Sequence, residues 1–142
     1  MTSTEGTIVL VGRILFAVFF IRSAIAHVRK HRGMGDYARS ARLPAPAIAG
    51  WPTGIWLLAA SLSIALGIWP DIGSLMIAVF VVLAALYFHR FWRLEDADQR
   101  QTQAGSFYRN VALLGASLAM MGFFVAAGEG LRFAVTGPLL DP

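Results

Sequence analysis

Cysteine is absent from the 142 residues. That excludes disulfides, thiol redox chemistry and thiolate metal sites whatever compartment the loops face, so any redox role has to use a borrowed group. Charge is scarce as well: Asp, Glu, Lys and Arg make up 14% of the chain, and lysine occurs once, as Lys30, among twelve basic residues. With abundant alanine, that scarcity fits a GC-rich genome and carries nothing about function. No acidic residue stands at the centre of a long apolar run, so a carboxylate proton relay through a membrane is not expected. What remains is apolar: hydrophobic residues are 57% of the chain and the mean hydropathy is +0.64, well above a soluble domain.

Four apolar stretches, 7–26, 51–69, 72–91 and 107–127, each approach the ~20 residues that a spanning helix needs. Backbone amides in lipid must be satisfied within their own segment, so each stretch predicts a helix. The expectation is an all-α polytopic membrane protein, a four-transmembrane-helix bundle forming one domain over 1–142 with two cytoplasmic basic loops. The first stretch is not read as a cleaved signal, because Glu5 precedes it and Arg13 and Arg22 interrupt it. Net charge is +4, but the basic residues lie beside the spans, which makes them a topology signal rather than a nucleic-acid footprint. Arg29, Lys30, Arg32, Arg39 and Arg42 follow the first span; Arg90, Arg93, Arg100 and Arg109 follow the third; only Arg132 stands on the other side. The positive-inside rule therefore puts both long loops in the cytoplasm and both termini outside.

Within these limits, few residues can carry chemistry. Arg13 and Arg22 lie inside the first span and are read as structural intramembrane charges. Arg13 sits about 9 Å into its helix, where it is expected to snorkel outward or to meet Glu5, Asp71 or Glu129. Arg22 is expected to pair with Asp36 or a lipid phosphate. His27, His31 and His89 fall at the cytoplasmic ends of the odd spans, without the further ligands that zinc needs or the facing placement that haem needs, so no metal is expected. His89, Arg90 and Trp92, with Tyr87, are the candidate contact for a quinone or lipid head group. Ala26-His27-Val28-Arg29 and Phe88-His89-Arg90-Phe91 close the odd spans alike, which suggests two parallel hairpins.

Small residues mark expected helix-packing faces: Ala59, Ser63 and Gly67 on the second span, Ala112, Ala116 and Met120 beside Gly115 and Ala119 on the fourth. Trp51, Trp69 and Trp92 are placed as interfacial anchors. The segment 33–51 reads as surface-lying, with Arg39 and Arg42 toward lipid phosphates and the Leu43-Pro44-Ala45-Pro46 run breaking any helix. Residues 94–105 read as a solvated loop or a docking surface.

Several of these features together resemble the DoxX-type integral membrane proteins. The resemblance is carried by Gly12-Arg13, Phe19-Phe20 with Ser23 and Ala24, Leu43-Pro44-Ala45-Pro46 and Gly67. It is carried most specifically by His89-Arg90-Phe91-Trp92 followed by Phe107, Asn110, Ala112, Leu113, Leu114 and Gly115. It implies a four-helix protein of the bacterial inner membrane, tied to respiratory or redox machinery, with quinone-linked relatives and others associated with superoxide dismutase and sulfurtransferase partners. Relatives often carry a lysine where His27 stands, a glycine where Ala24 stands and an acidic residue within the second helix, where Trp56 to Ser61 are here apolar or small.

Lacking that carboxylate, the chain is expected to be an accessory subunit that docks other membrane subunits and lipid, with no established cofactor and a quinone contact as the candidate. The alternative is a quinone-linked oxidoreductase acting alone. A solute carrier fits least, since the sequence offers neither a broken helix nor a midplane polar site.

Overall fold

Residues 1–140 are described by a computed structural model. Five helices carry the chain: α1 (Ser3–Arg29), α2 (His31–Ser40), α3 (Trp51–Leu66), α4 (Pro70–Phe88) and α5 (Ala97–Ala127). No strand forms among the described residues; one parallel bridge joins Ile68 to Gly137. The all-α expectation holds. Three helices, over Ser3–Arg29, Pro70–Arg93 and Ala97–Gly130, are long and apolar enough to cross a membrane, whereas α3 has 16 residues, about 24 Å at the usual rise.

Local chemistry sets the boundaries. Thr2 and Glu5 close a capping box at the start of α1: Glu5 N donates to Thr2 Oγ1 at 3.2 Å and Thr2 N to Glu5 Oε2 at 2.7 Å, which satisfies two orphan donors at once. Pro52 and Pro70 sit in the first turns of α3 and α4, where a missing N–H costs nothing. Asp96 caps α5 by accepting from Gln99 N at 2.8 Å, so that helix begins ten residues ahead of the apolar run. The polar stretch expected as a loop over 94–105 is therefore mostly the first turns of α5. The surface-lying segment likewise contains a helix, α2, and the Pro44 and Pro46 break leads into a 3-10 turn over Pro46–Ala49.

α1 packs on α3, α3 on α4 and α4 on α5. Lipid provides no hydrophobic drive between helices, so close backbone approach has to hold them. Gly54 of α3 lies so near α1 that a Cβ there would stand 2.5 Å from Val28 Cγ2 and 2.9 Å from the Ala24 carbonyl oxygen. Phe20, Leu57, Ile64, Ile77, Val81 and Phe124 fill the centre. Large side chains such as Leu15, Val18, Ile55, Leu62, Val79 and Leu83 point outward, as a lipid-facing shell does. The buried serines close on their own helices, Ser61 on Leu57 O at 2.6 Å, Ser74 on Pro70 O at 2.8 Å and Ser117 on Leu113 O at 2.8 Å, so they offer no polar path along the centre.

The small-residue face expected on α5 is divided: Ala116 and Met120 are half-buried, Met120 against the core, while the rest turns outward. Ala112, Gly115, Ala119, Gly122 and Ala126 are exposed, and a Cβ added at Gly115 or Gly122 would meet no atom within 4 Å. The helix uses Asn110, Ser117 and Phe124 as its buried side.

Candidate functional site

The two ends of the bundle carry its polar chemistry. At the end where α3 stops, Arg13 is 1% exposed and reaches no carboxylate among the described residues. Its Nε donates to Ile64 O at 2.7 Å, its Nη2 to Ala65 O at 2.8 Å, and its Nη1 to Phe133 O at 3.2 Å and Arg132 O at 3.4 Å. The expected pairing with Glu5, Asp71 or Glu129 is replaced by main-chain acceptors. A helix leaves its last four carbonyls without partners, and here each one is accounted for. Ser63 O accepts from Ile68 N at 3.0 Å, Arg13 takes Ile64 O and Ala65 O, and Leu66 O accepts from Val135 N at 3.1 Å. The guanidinium also sits at the negative end of the α3 dipole, which favours it.

Asp71 completes this end. It is fully buried in the first turn of α4, where a negative charge is favoured, and its Oδ1 and Oδ2 accept from Leu139 N and Leu140 N, both at 2.9 Å. The segment after α5 is thus strapped across the α3–α4 turn by one buried cation and one buried anion that serve backbone rather than each other. Sequence reasoning gave Asp71 no role beyond pairing with Arg13; its place in the first turn after Pro70 was the available signal.

Arg22 differs from Arg13. It is exposed on the flank of α1 and has no partner among the described residues, because Asp36 is taken by Arg39 at 2.5 Å.

At the opposite end, α1, α4, α5 and the 3-10 turn enclose a cavity of about 290 Å³. Phe19, Phe20, Phe80 and Phe88 make its apolar walls, and His27, His89, Arg109 and Asn110 bring polarity. The histidines that close the odd spans alike are therefore brought to one cavity. His27 Nδ1 lies 2.5 Å from Ala49 O. A carbonyl only accepts, so Nδ1 carries a proton, and in the tautomer this selects Nε2 is the acceptor. The Phe80 ring meets that imidazole edge to face at 5.9 Å. His89 Nδ1 lies 2.8 Å from Gln103 Oε1. Asn110 is 7% exposed, yet its amide has no hydrogen-bond partner among the described residues. Its polar atoms are not sealed, and the residue lines the cavity.

The candidate head-group residues do not share this space. His89 lines the cavity, Arg90 lines a separate groove nearer the surface, and Trp92 lines neither. Trp92 is exposed and sets its ring against Phe107 at 5.6 Å, as an interfacial anchor would. Asn110 was quoted in the sequence only for family likeness; an amide letter before an apolar run gave no sign of a cavity. No group of three or more His, Asp or Glu is placed to hold a metal among the described residues.

A cavity of this kind can take a ring or an acyl chain among its phenylalanines while orienting one polar group by hydrogen bonds, the usual build of a small-molecule site. No curated protein and no solved structure matches the chain. The family comparison does: DoxX matches over residues 8–90, a span that takes in α1 to α4, Arg13, Asp71 and both cavity histidines and amounts to more than half the chain. The chain belongs to the DoxX family of membrane proteins.

Proposed function

We propose that this protein is an accessory subunit of a bacterial inner-membrane redox or respiratory assembly, docking a partner's transmembrane helix and contacting a quinone in its aromatic cavity. The observation that carries this reading is the exposed ridge on α5. Ala112, Gly115, Ala119, Gly122 and Ala126 recur at alternating spacings of three and four, which puts them in one stripe along a helix. With only 11% of its apolar window buried in the protein, α5 offers that stripe for close backbone approach by another helix. In this reading α3 is a fourth span, shortened at one end and completed there by residues 131–140, and both termini lie outside the cytoplasm.

The cavity supports the quinone contact. Its phenylalanines suit a ring, the Asn110 amide can donate to a quinone carbonyl or accept from a quinol hydroxyl, and His27 Nε2 can accept from the same hydroxyl. Within this reading Arg90 and Trp92 face the head-group region rather than the ring, and His89 alone of the three borders it. A bound quinone would supply the redox chemistry; the chain's own residues would orient it and exclude water. A catalytic soluble partner such as superoxide dismutase would dock on the polar surfaces outside the membrane-spanning helices.

The test is a mild-detergent purification of the tagged protein, with mass spectrometry of what accompanies it and extraction of quinone from the same sample. Stoichiometric membrane subunits that are lost in Gly115→Leu and Gly122→Leu support the accessory role. A lone chain holding about one quinone and reducing it with an added donor would instead make it a quinone-linked oxidoreductase.

A further inference from the structure

Three arginines from separate segments border one groove at the basic end. Arg42 follows α2, Arg90 follows α4, and Arg93 ends the 3-10 turn Phe91–Arg93. The groove measures about 720 Å³ and is lined also by Tyr37, Tyr87, and Asp98 and Thr102 of α5. Asp98 is its only acid, and no ion pair forms between it and any of the three arginines. Arg90 is held in place: its Nε donates to Leu86 O and its guanidinium stands 5.2 Å over the Tyr87 ring. Its terminal nitrogens make no hydrogen bond to protein, and neither do the side chains of Arg42 and Arg93, among the described residues. Like charges gathered around one opening repel one another unless an anion is shared between them.

The backbone at Arg42 gives a second, independent sign. Leu43 N donates to Ala38 O and Arg42 N to Arg39 O, both at 3.0 Å, the paired bonds of a Schellman motif. The residue after such a helix end is commonly glycine because it must be left-handed. Arg42 takes that conformation with φ 58°, which a side chain disfavours sterically. The long cation stands where the fold alone would favour having no side chain, and it points that cation at the groove.

We propose that this groove is a phosphate-binding site at the membrane surface, with Arg42, Arg90 and Arg93 as donors to the phosphodiester of an anionic phospholipid. The planar guanidinium fork matches phosphate oxygens. The groove lies at the end of α4 and the start of α5, two helices of membrane-crossing length, with the exposed Trp92 ring beside it in the chain. This site adjoins the aromatic cavity, with Tyr37 and Phe88 bordering both, and does not rest on the quinone reading.

The full chain, purified in detergent and stripped of phospholipid, is titrated with phosphatidylglycerol, with phosphatidylcholine as the neutral control and inorganic phosphate as competitor. The wild type is expected to retain phosphatidylglycerol over phosphatidylcholine. Arg42→Gly and Arg93→Gln are each expected to weaken that preference about fivefold, the factor for one arginine at an anionic surface. Arg42→Gly should at the same time keep or raise the melting midpoint measured without lipid, since the turn relaxes. Phosphatidylglycerol retained against millimolar inorganic phosphate identifies the lipid as the source, while displacement by it identifies a site for free phosphate; both support the phosphate site. Equal retention of the two lipids, or an unchanged preference in both variants, overturns it.

Discussion

Arg13 Nε and the carbonyl oxygen of Ile64 meet at 2.7 Å across 51 residues of sequence, inside the protein, and Arg13 forms no ion pair among the described residues. The interaction is a helix cap supplied from another helix. It converts an intramembrane charge, ordinarily a liability, into the donor set that α3 lacks where it stops short.

Arg13→Met should therefore be strongly destabilising. It leaves Ile64 O buried without a donor, at roughly 1–3 kcal/mol, and the part-buried Ala65 O without one at a smaller cost. Arg13→Lys should recover only part of the loss, because an ammonium offers its donors from one point and cannot span two carbonyls as the fork does. Denaturant titration in mixed micelles ranks the three proteins, and a lysine variant as stable as wild type would contradict the capping role.

Asp71→Asn tests the strap over the same end. An amide keeps one acceptor oxygen and turns an N–H toward the other backbone donor, so one of the two contacts to Leu139 and Leu140 is lost. A hydrogen bond to a charged group contributes about 1.5–3 kcal/mol, so residues 131–140 should open at least tenfold more often while α1 to α5 stay folded. Limited proteolysis read at the Arg132 bond reports it; unchanged cleavage would mean that Arg13 and the Leu66 to Gly67 backbone contacts hold the segment unaided.

Gly54→Ala should push α1 from α3. The new Cβ meets both a movable Val28 methyl and the fixed Ala24 carbonyl, an overpacking that typically costs about 1–3 kcal/mol. Adding Val28→Ala removes one contact and not the other, so it should restore part of the stability and not all of it. Full rescue would show that the side chain alone set the spacing.

Asn110→Leu should separate stability from ligand content. The amide has no protein partner to lose, so folding should change by no more than about 1 kcal/mol. Co-purified quinone should fall several-fold. Quinone content equal to wild type would remove Asn110 from the cavity's function.

Legibility in the sequence followed what each letter can express. The courses of α1 and α4 were visible because each carries an apolar run long enough to span lipid, in α1 despite Arg13 and Arg22. The early start of α5 was hidden behind six polar residues from Asp98 to Gln103, since hydropathy measures preference for lipid and not helicity. The Asp96 to Gln99 spacing held the cap signal all the same. Arg13 stood out as costly, but its acceptors are main-chain oxygens, which every residue has and no letter marks. The stripe on α5 was legible as small and not as outward, because periodicity gives a face without giving its neighbour. His27 and His89 were seen to close similar helix ends; that they border one cavity depended on how α1 and α4 pack.

The cap on α3 also has an order in time. Arg13 enters the membrane with the first helix, 51 residues before Ile64 is made and 120 before Phe133. At roughly 5–20 residues per second the guanidinium waits several seconds or longer for its last acceptor. During synthesis that charge needs a temporary host, such as a lipid phosphate, water at the membrane edge or the insertion machinery itself. The Arg13 contacts are complete only once residues 132 and 133 are made, and the Asp71 contacts to Leu139 and Leu140 follow them.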